Sequence, residues 1–241
     1  MNDNNKNNIL AIVSLVLLSF ALGTCEFIVI GVLTDIAESF KVSEVIAGGL
    51  VSMFALSYSI FTPFSAAIAG KFNRFNFIIF ASILFIIGNF LCSLAFDYNF
   101  LMIIRIFLAI ISGALISVSI SFTPYVASKE KRPMVVAWIY SGFSIASIFG
   151  VPIGTTISYK FGWRASFIFI SVFSIFMLIM MFISLPKNTA QYKIKLLHQF
   201  VLFKDIRFIY IKYINNSFWS GFFLCALYLS KTYIFKLCSY R

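Results

Sequence analysis

The chain has 241 residues, of which 61% are hydrophobic and only 11% charged, with a mean hydropathy of +0.98. Soluble domains average about 45 to 50% apolar and about 25% charged residues, so this composition excludes a water-soluble globule and indicates an integral membrane protein. The net charge of +11 would suggest nucleic acid in a soluble domain, but the basic residues sit between apolar blocks rather than in one patch, and no nucleic-acid partner is expected. The four cysteines, Cys25, Cys92, Cys225 and Cys238, form no CxxC or paired spacing. Neither a disulfide framework nor a metal site is expected from them.

A membrane-spanning helix needs about 20 apolar residues. Seven segments qualify: 9–33, 45–69, 75–96, 100–127, 134–159, 165–185 and 208–230. The fold expected is all-α: a six-helix N-terminal bundle over residues 1–185, a basic cytoplasmic loop over 186–207, and the start of a further half over 208–241. The first segment follows Lys6 and carries Leu22-Gly23-Thr24-Cys25, which is similar to a lipoprotein cleavage box. Its apolar run is too long for a signal h-region, so it is read as the first span. With the N-terminus in the cytoplasm, Lys6, Lys71, Arg74, Lys129, Lys131, Arg132, Lys187, Lys193, Lys195, Lys204 and Arg207 fall inside, against Lys41, Lys160 and Arg164 outside. The positive-inside rule then sets the orientation. The seventh segment fits it poorly, because Lys231, Lys236 and Arg241 would lie outside.

Within the first six spans one carboxylate, Glu26, lies inside a hydrophobic block. A charged side chain at mid-helix costs about 2.5 to 3.5 kcal/mol on insertion scales, so an intramembrane acid is a functional candidate, here for taking up and releasing protons. The matching cation is Arg105, early in the fourth span. At 1.5 Å rise per residue both should lie roughly 8 to 11 Å below the outer boundary, a depth match that permits them to pair. A purely structural buried ion pair is the competing reading.

In the fifth span Gly142, Ala146, Gly150 and Gly154 recur every four positions among bulky apolar residues, with Pro152 between the last two. Residues at that spacing share one helix face, and small-xxx-small faces let membrane helices pack backbone to backbone. Interior proline frees a carbonyl that neighbouring helices or water must satisfy, so a bent, closely packed helix is expected. At the inner end of the second span the string Ala66-Ala-Ile-Ala69-Gly70-Lys71-Phe-Asn73-Arg74 supplies two cations, and Phe161-Gly162-Trp163-Arg164 precedes the sixth span as an aromatic interface anchor.

These strings, in this order, resemble the bacterial drug:proton antiporters of the major facilitator superfamily, especially exporters of sugars, purine nucleosides or drugs. The Gly142–Gly154 string resembles their fifth-helix signature, and the Lys71/Arg74 string their loop between helices two and three. Two departures stand out: Gly70 occupies the position where that loop usually has aspartate, and Thr34 the position where many members have proline. The resemblance covers about residues 9 to 185 and implies proton-driven efflux of a small molecule in the cytoplasmic membrane, by alternating access between two six-helix halves. No cofactor is implied. Without GxSxG, HExxH or a phosphate-binding glycine loop, no enzymatic activity is expected. The competing expectation is a truncated or frameshifted product, or a half-transporter that works only with a partner chain.

Overall fold

The computed structural model describes residues 3–69 and 72–187. The central loop past 187, the segment 208–230, Gly70 and Lys71 lie outside them. The described residues belong to one compact unit and form eight helices: α1 (Asp3–Gly31), α2 (Leu33–Phe40), α3 (Glu44–Ala69), α4 (Arg74–Ser93), α5 (Tyr98–Ser121), α6 (Thr123–Val126), α7 (Arg132–Phe161) and α8 (Trp163–Ser184). Six are long and apolar enough to cross a membrane: α1, α3, α4, α5 with its extension α6, α7 and α8. Hydrocarbon offers the backbone no hydrogen-bond partner, so only a helix, which satisfies its amides internally, suits these apolar runs.

Two expected spans are divided. The first stops at Gly31, and after Val32 the chain re-enters a short amphipathic helix, α2, which buries Ile36 and Ala37 and leaves Asp35 and Glu38 exposed. The end of the fourth is broken at Phe122, because Pro124 has no N–H for the α ladder and sits in the first turn of α6. In α7, by contrast, the helix runs uninterrupted through Pro152.

The helices associate chiefly in three pairs, α1 with α7, α3 with α5, and α4 with α8. In span order these are 1 with 5, 2 with 4, and 3 with 6. Exchanging spans 1, 2, 3 with 4, 5, 6 maps the first two pairs onto each other and the third onto itself. That is the pattern of two three-helix repeats, which carry too little sequence similarity to be seen in the chain itself. α1 and α5 are the most enclosed helices, and α3 and α7 the least.

The α1–α7 contact is made by absence of side chain. Gly142 lies against the backbone of Val16 and Phe20, Gly150 against Thr24 and Phe27, and Gly154 against Ile28. Ala146 faces Gly23, and on α1 Gly31 abuts the Val151 carbonyl. A Cβ placed on Gly154 would stand 2.9 Å from the Ile28 carbonyl oxygen, which belongs to backbone and cannot swing aside. Thr155 Oγ1 adds a hydrogen bond to the Gly31 carbonyl at 3.2 Å, and Ser158 Oγ donates to the Asp35 carboxylate.

At the α7–α8 turn Gly162 has φ +82°, a conformation that disfavours any Cβ. Trp163 is not an interface anchor here. It is buried, 5.5 Å from the Phe40 ring and capped by the Arg164 guanidinium at 4.4 Å, because α2 folds over it. Arg164 Nη2 also donates to the Ala95 carbonyl at 3.0 Å, tying this turn to the end of α4.

Gly154→Leu is expected to lower stability by about 1 to 3 kcal/mol or to abolish folding, since overpacking against backbone has no cheap relief. Gly48, whose added Cβ meets nothing within 4 Å, provides the contrast. Gly48→Ala should leave stability unchanged or raise it by up to about 1 kcal/mol, in thermal unfolding of the detergent-solubilised protein. The same assay should register a loss of about 1 to 3 kcal/mol for Gly162→Ala, from backbone strain alone.

Candidate functional site

Arg105 is the largest fully buried side chain among the described residues, with no accessible surface. α5 carries it inward between α1 and α3. Its Nη1 donates to the Cys25 carbonyl at 2.7 Å and lies 3.8 Å from the Cys25 thiol, and the guanidinium carbon stands 4.3 Å from the centre of the Phe54 ring. Nε and Nη2 have no hydrogen-bond partner among the described residues. A guanidinium over an aromatic face is held by the ring quadrupole, an attraction that reaches about 2 kcal/mol when desolvated. Two nitrogens with three bare N–H groups in a buried cation still leave it short of acceptors.

Glu26 follows Cys25 on α1 and is half-buried. Arg105 lies close enough to act on its charge through space, and so does Glu26 on Tyr58. The direct Glu26–Arg105 pair permitted by their depth is nevertheless not formed, since the one partnered nitrogen of Arg105 bonds to Cys25. Successive helical residues point about 100° apart, so a side chain that faces Cys25 looks past Glu26.

Around Cys25 the site continues into α4. The thiol donates to Asn89 Oδ1 at 3.3 Å, and Asn89 Nδ2 donates to the Phe85 carbonyl at 2.8 Å. Tyr58 stacks on Phe54 with ring centres 6.5 Å apart. Cys25, Phe54 and Asn89 were not identified from the sequence. Asn89, a buried amide in an apolar span, carried the one signal that would have revealed the network.

Arg74 lies apart from this site. Its Nη1 donates to the Ser121 carbonyl at 2.8 Å and its guanidinium covers the Tyr125 ring at 5.4 Å, so it fastens the start of α4 to the end of α5. Lys71 lies outside the described residues. Among the described residues no group of three or more His, Cys, Asp or Glu side chains could hold a metal ion.

The sequence matches the family model of the Major Facilitator Superfamily over residues 15–236, which is most of the chain. The chain belongs to the Major Facilitator Superfamily. It is 30% identical over 217 residues to the uncharacterized MFS-type transporter YbcL of Bacillus subtilis (strain 168), covering 90% of this chain and 55% of that protein. It is also 30% identical over 173 residues to a probable sugar efflux transporter of Mannheimia succiniciproducens, covering 72% of this chain and 44% of the relative. Among solved structures, a bacterial homologue of the human lysosomal transporter Spinster, inward-facing and occupied, superposes with a TM-score of 0.65 at 18% identity, over 80% of this chain and 47% of that one. The chain thus spans about half the length of the relatives it matches. Family and fold together make it a multi-pass membrane protein of a transporter family.

The facilitator bundle buries Arg105 at a cost that its contacts only partly offset. Arg105→Leu should therefore melt within about 1 kcal/mol of the parent, since apolar replacements of buried charges are often neutral or stabilising. Phe54→Ala should lower stability by about 3 to 5 kcal/mol, because it leaves both a cavity and an uncovered guanidinium. Thermal unfolding of the two variants, run side by side, checks both.

Proposed function

We propose that this bundle is the N-terminal half of a proton-coupled exporter of small molecules that works by alternating access, with Glu26 as the proton-carrying group and Arg105 as its switchable counter-charge. The observation that carries this reading is a half-buried carboxylate next in the chain to Cys25, whose carbonyl holds a fully buried guanidinium with two nitrogens, Nε and Nη2, unspent. When Glu26 is protonated, Arg105 rests on the Cys25 carbonyl. When Glu26 is ionised, the free N–H groups give it a reason to lean toward the carboxylate, and the helices that hold them, α1 and α5, shift with it. A ligand that binds one of these arrangements better shifts the balance between them.

The α1–α7 seam built on Gly142, Ala146, Gly150 and Gly154 makes those two helices one stiff unit, with Pro152 on its outer side. We assign that unit the part of a rocking element. The poorly enclosed helices α3 and α7 offer the faces for a second six-helix half, whether from a longer chain or from a partner chain. Sugar, nucleoside or drug-like compounds are the substrate class; the probable sugar efflux transporter among the relatives supports the first. We place the chain in the cytoplasmic membrane of a bacterium with the N-terminus inside, a reading supported by the basic residues Lys129, Lys131, Arg132 and Lys187 on one side and by the bacterial relatives.

A second reading rests on the share of the relatives that the chain spans: it forms a bundle that moves no substrate, either by itself or beside a second half. Extrusion of labelled sugars and of a dye substrate from efflux-deficient cells separates the two. Export by this chain alone, or only when a second six-helix half is co-expressed, supports the transporter reading, and no export in either case supports the second. In vesicles with an imposed pH gradient, Glu26→Gln is expected to drop gradient-driven flux to the background of empty vesicles. Downhill exchange of substrate should continue in that variant, since it needs no net proton movement. Retention of gradient-driven flux would remove Glu26 from the mechanism.

A further inference from the structure

Ser82 on α4, Ser112 on α5 and Ser174 on α8 are buried, and their hydroxyls have no hydrogen-bond partner among the described residues. A serine in a membrane helix ordinarily spends its hydroxyl on a carbonyl one turn back, as Ser119 does on Leu115. A buried hydroxyl left unbonded is costly, and here three are left at once.

Helix geometry brings the three together. Cys25, Asn89 and Arg105 meet at one depth, the thiol on Asn89 Oδ1 and the guanidinium on the Cys25 carbonyl. α4 and α5 run in opposite directions, since Arg74 at the start of one is bonded to Ser121 at the end of the other. Seven residues make two turns and return to nearly the same face. Ser82 before Asn89 and Ser112 after Arg105 therefore both lie about 10 Å deeper, toward the end that holds Arg74. α8 also runs against α4, with Phe182 near its end packed on Phe75. Ser171 reaches the Ile86 carbonyl at 3.4 Å, so Ser174, three residues on, comes to the level of Ser82. At 100° per residue it points between the side of α8 that meets α4 through Ser171 and the side that meets α1 through Ser184. Leu18, two turns before Cys25 on α1, lies at the same level and is fully buried. Ser19 has an unbonded hydroxyl as well, but it stands against Gly142 and belongs to the α1–α7 seam.

We propose that Ser82, Ser112 and Ser174 form a shared site for internal water between α4, α5 and α8. Each hydroxyl brings one donor and two lone pairs, and a buried water makes two to four hydrogen bonds to such groups. The ligand is neutral, because this layer holds no ionised side chain and Arg105, two turns away, would repel an alkali cation. All three serines face the interior of the six-helix unit. The site therefore depends neither on what covers α3 and α7 nor on whether the chain transports anything.

Water-edited solid-state NMR of the full chain in proteoliposomes, with 13C-labelled serine, tests this. Polarisation passed from water is expected at Cβ of Ser82, Ser112 and Ser174 but not of Ser119, which is equally buried and bonded to its own helix. Each signal is assigned by its loss in Ser82→Ala, Ser112→Ala or Ser174→Ala. In Ser82→Ala/Ser112→Ala the Ser174 signal should fall to the Ser119 level, since one remaining hydroxyl no longer holds the water. Thermal unfolding gives an independent reading. Removing an unbonded hydroxyl raises the melting temperature, whereas removing an anchor of bound water lowers it, and each single variant is expected to melt lower than the parent. No transfer to the three serines in the parent would overturn the proposal, as would higher melting of the single variants. A Ser174 signal that survives the double substitution would overturn the shared site.

Discussion

Inside a bilayer there is neither water to satisfy a polar group nor a hydrophobic drive to press one helix against another. Both halves of that constraint are visible in this bundle. Without a hydrophobic drive, association depends on van der Waals contact, and the seam between α1 and α7 reaches it by removing side chains: Gly142, Gly150 and Gly154 on one helix, Gly23 and Gly31 on the other. Without water, several interior hydroxyls are turned back on their own helix, while Ser65, Ser158 and Ser166 reach a neighbouring one. Ser14, Ser119 and Ser171 donate to carbonyls three or four residues earlier. The exposed Ile103, Ile148 and Ile183 would be a liability in an aqueous protein, yet here they match their solvent.

Much of this was legible in the chain. Span positions follow from apolar runs whose length the bilayer sets, and the four-residue recurrence from Gly142 to Gly154 marks one helix face whatever lies opposite. The breaks after Gly31 and at Phe122 were harder to see. In both places apolar residues continue across the break, and what divides the helix is local backbone geometry. Pro124 gave a hint that the continuous hydrophobicity of 100–127 obscured.

The candidate site was legible in its charges and illegible in its contacts. Glu26 and Arg105 stand out because ionisable residues are rare in such runs. The acceptor that Arg105 uses, the Cys25 carbonyl, belongs to a backbone that every residue shares, so no residue type announces it. The aromatic face of Phe54 was one among 31 phenylalanines. Trp163 shows the same limit from the other side, since a tryptophan at a span boundary reads as an interface anchor until a neighbouring element, here α2 with Phe40, covers it.

The contacts of Arg105 also bear on how the chain enters the membrane. Its fixed partners, the Cys25 carbonyl and the Phe54 ring, belong to α1 and α3, both of which are synthesised before α5. A guanidinium that had to wait for a later helix would enter the lipid alone. Here the acceptor and the aromatic face already exist when the ribosome delivers the cation. The direction of translation, and not the finished packing alone, is what makes a buried arginine at this position affordable to the insertion machinery.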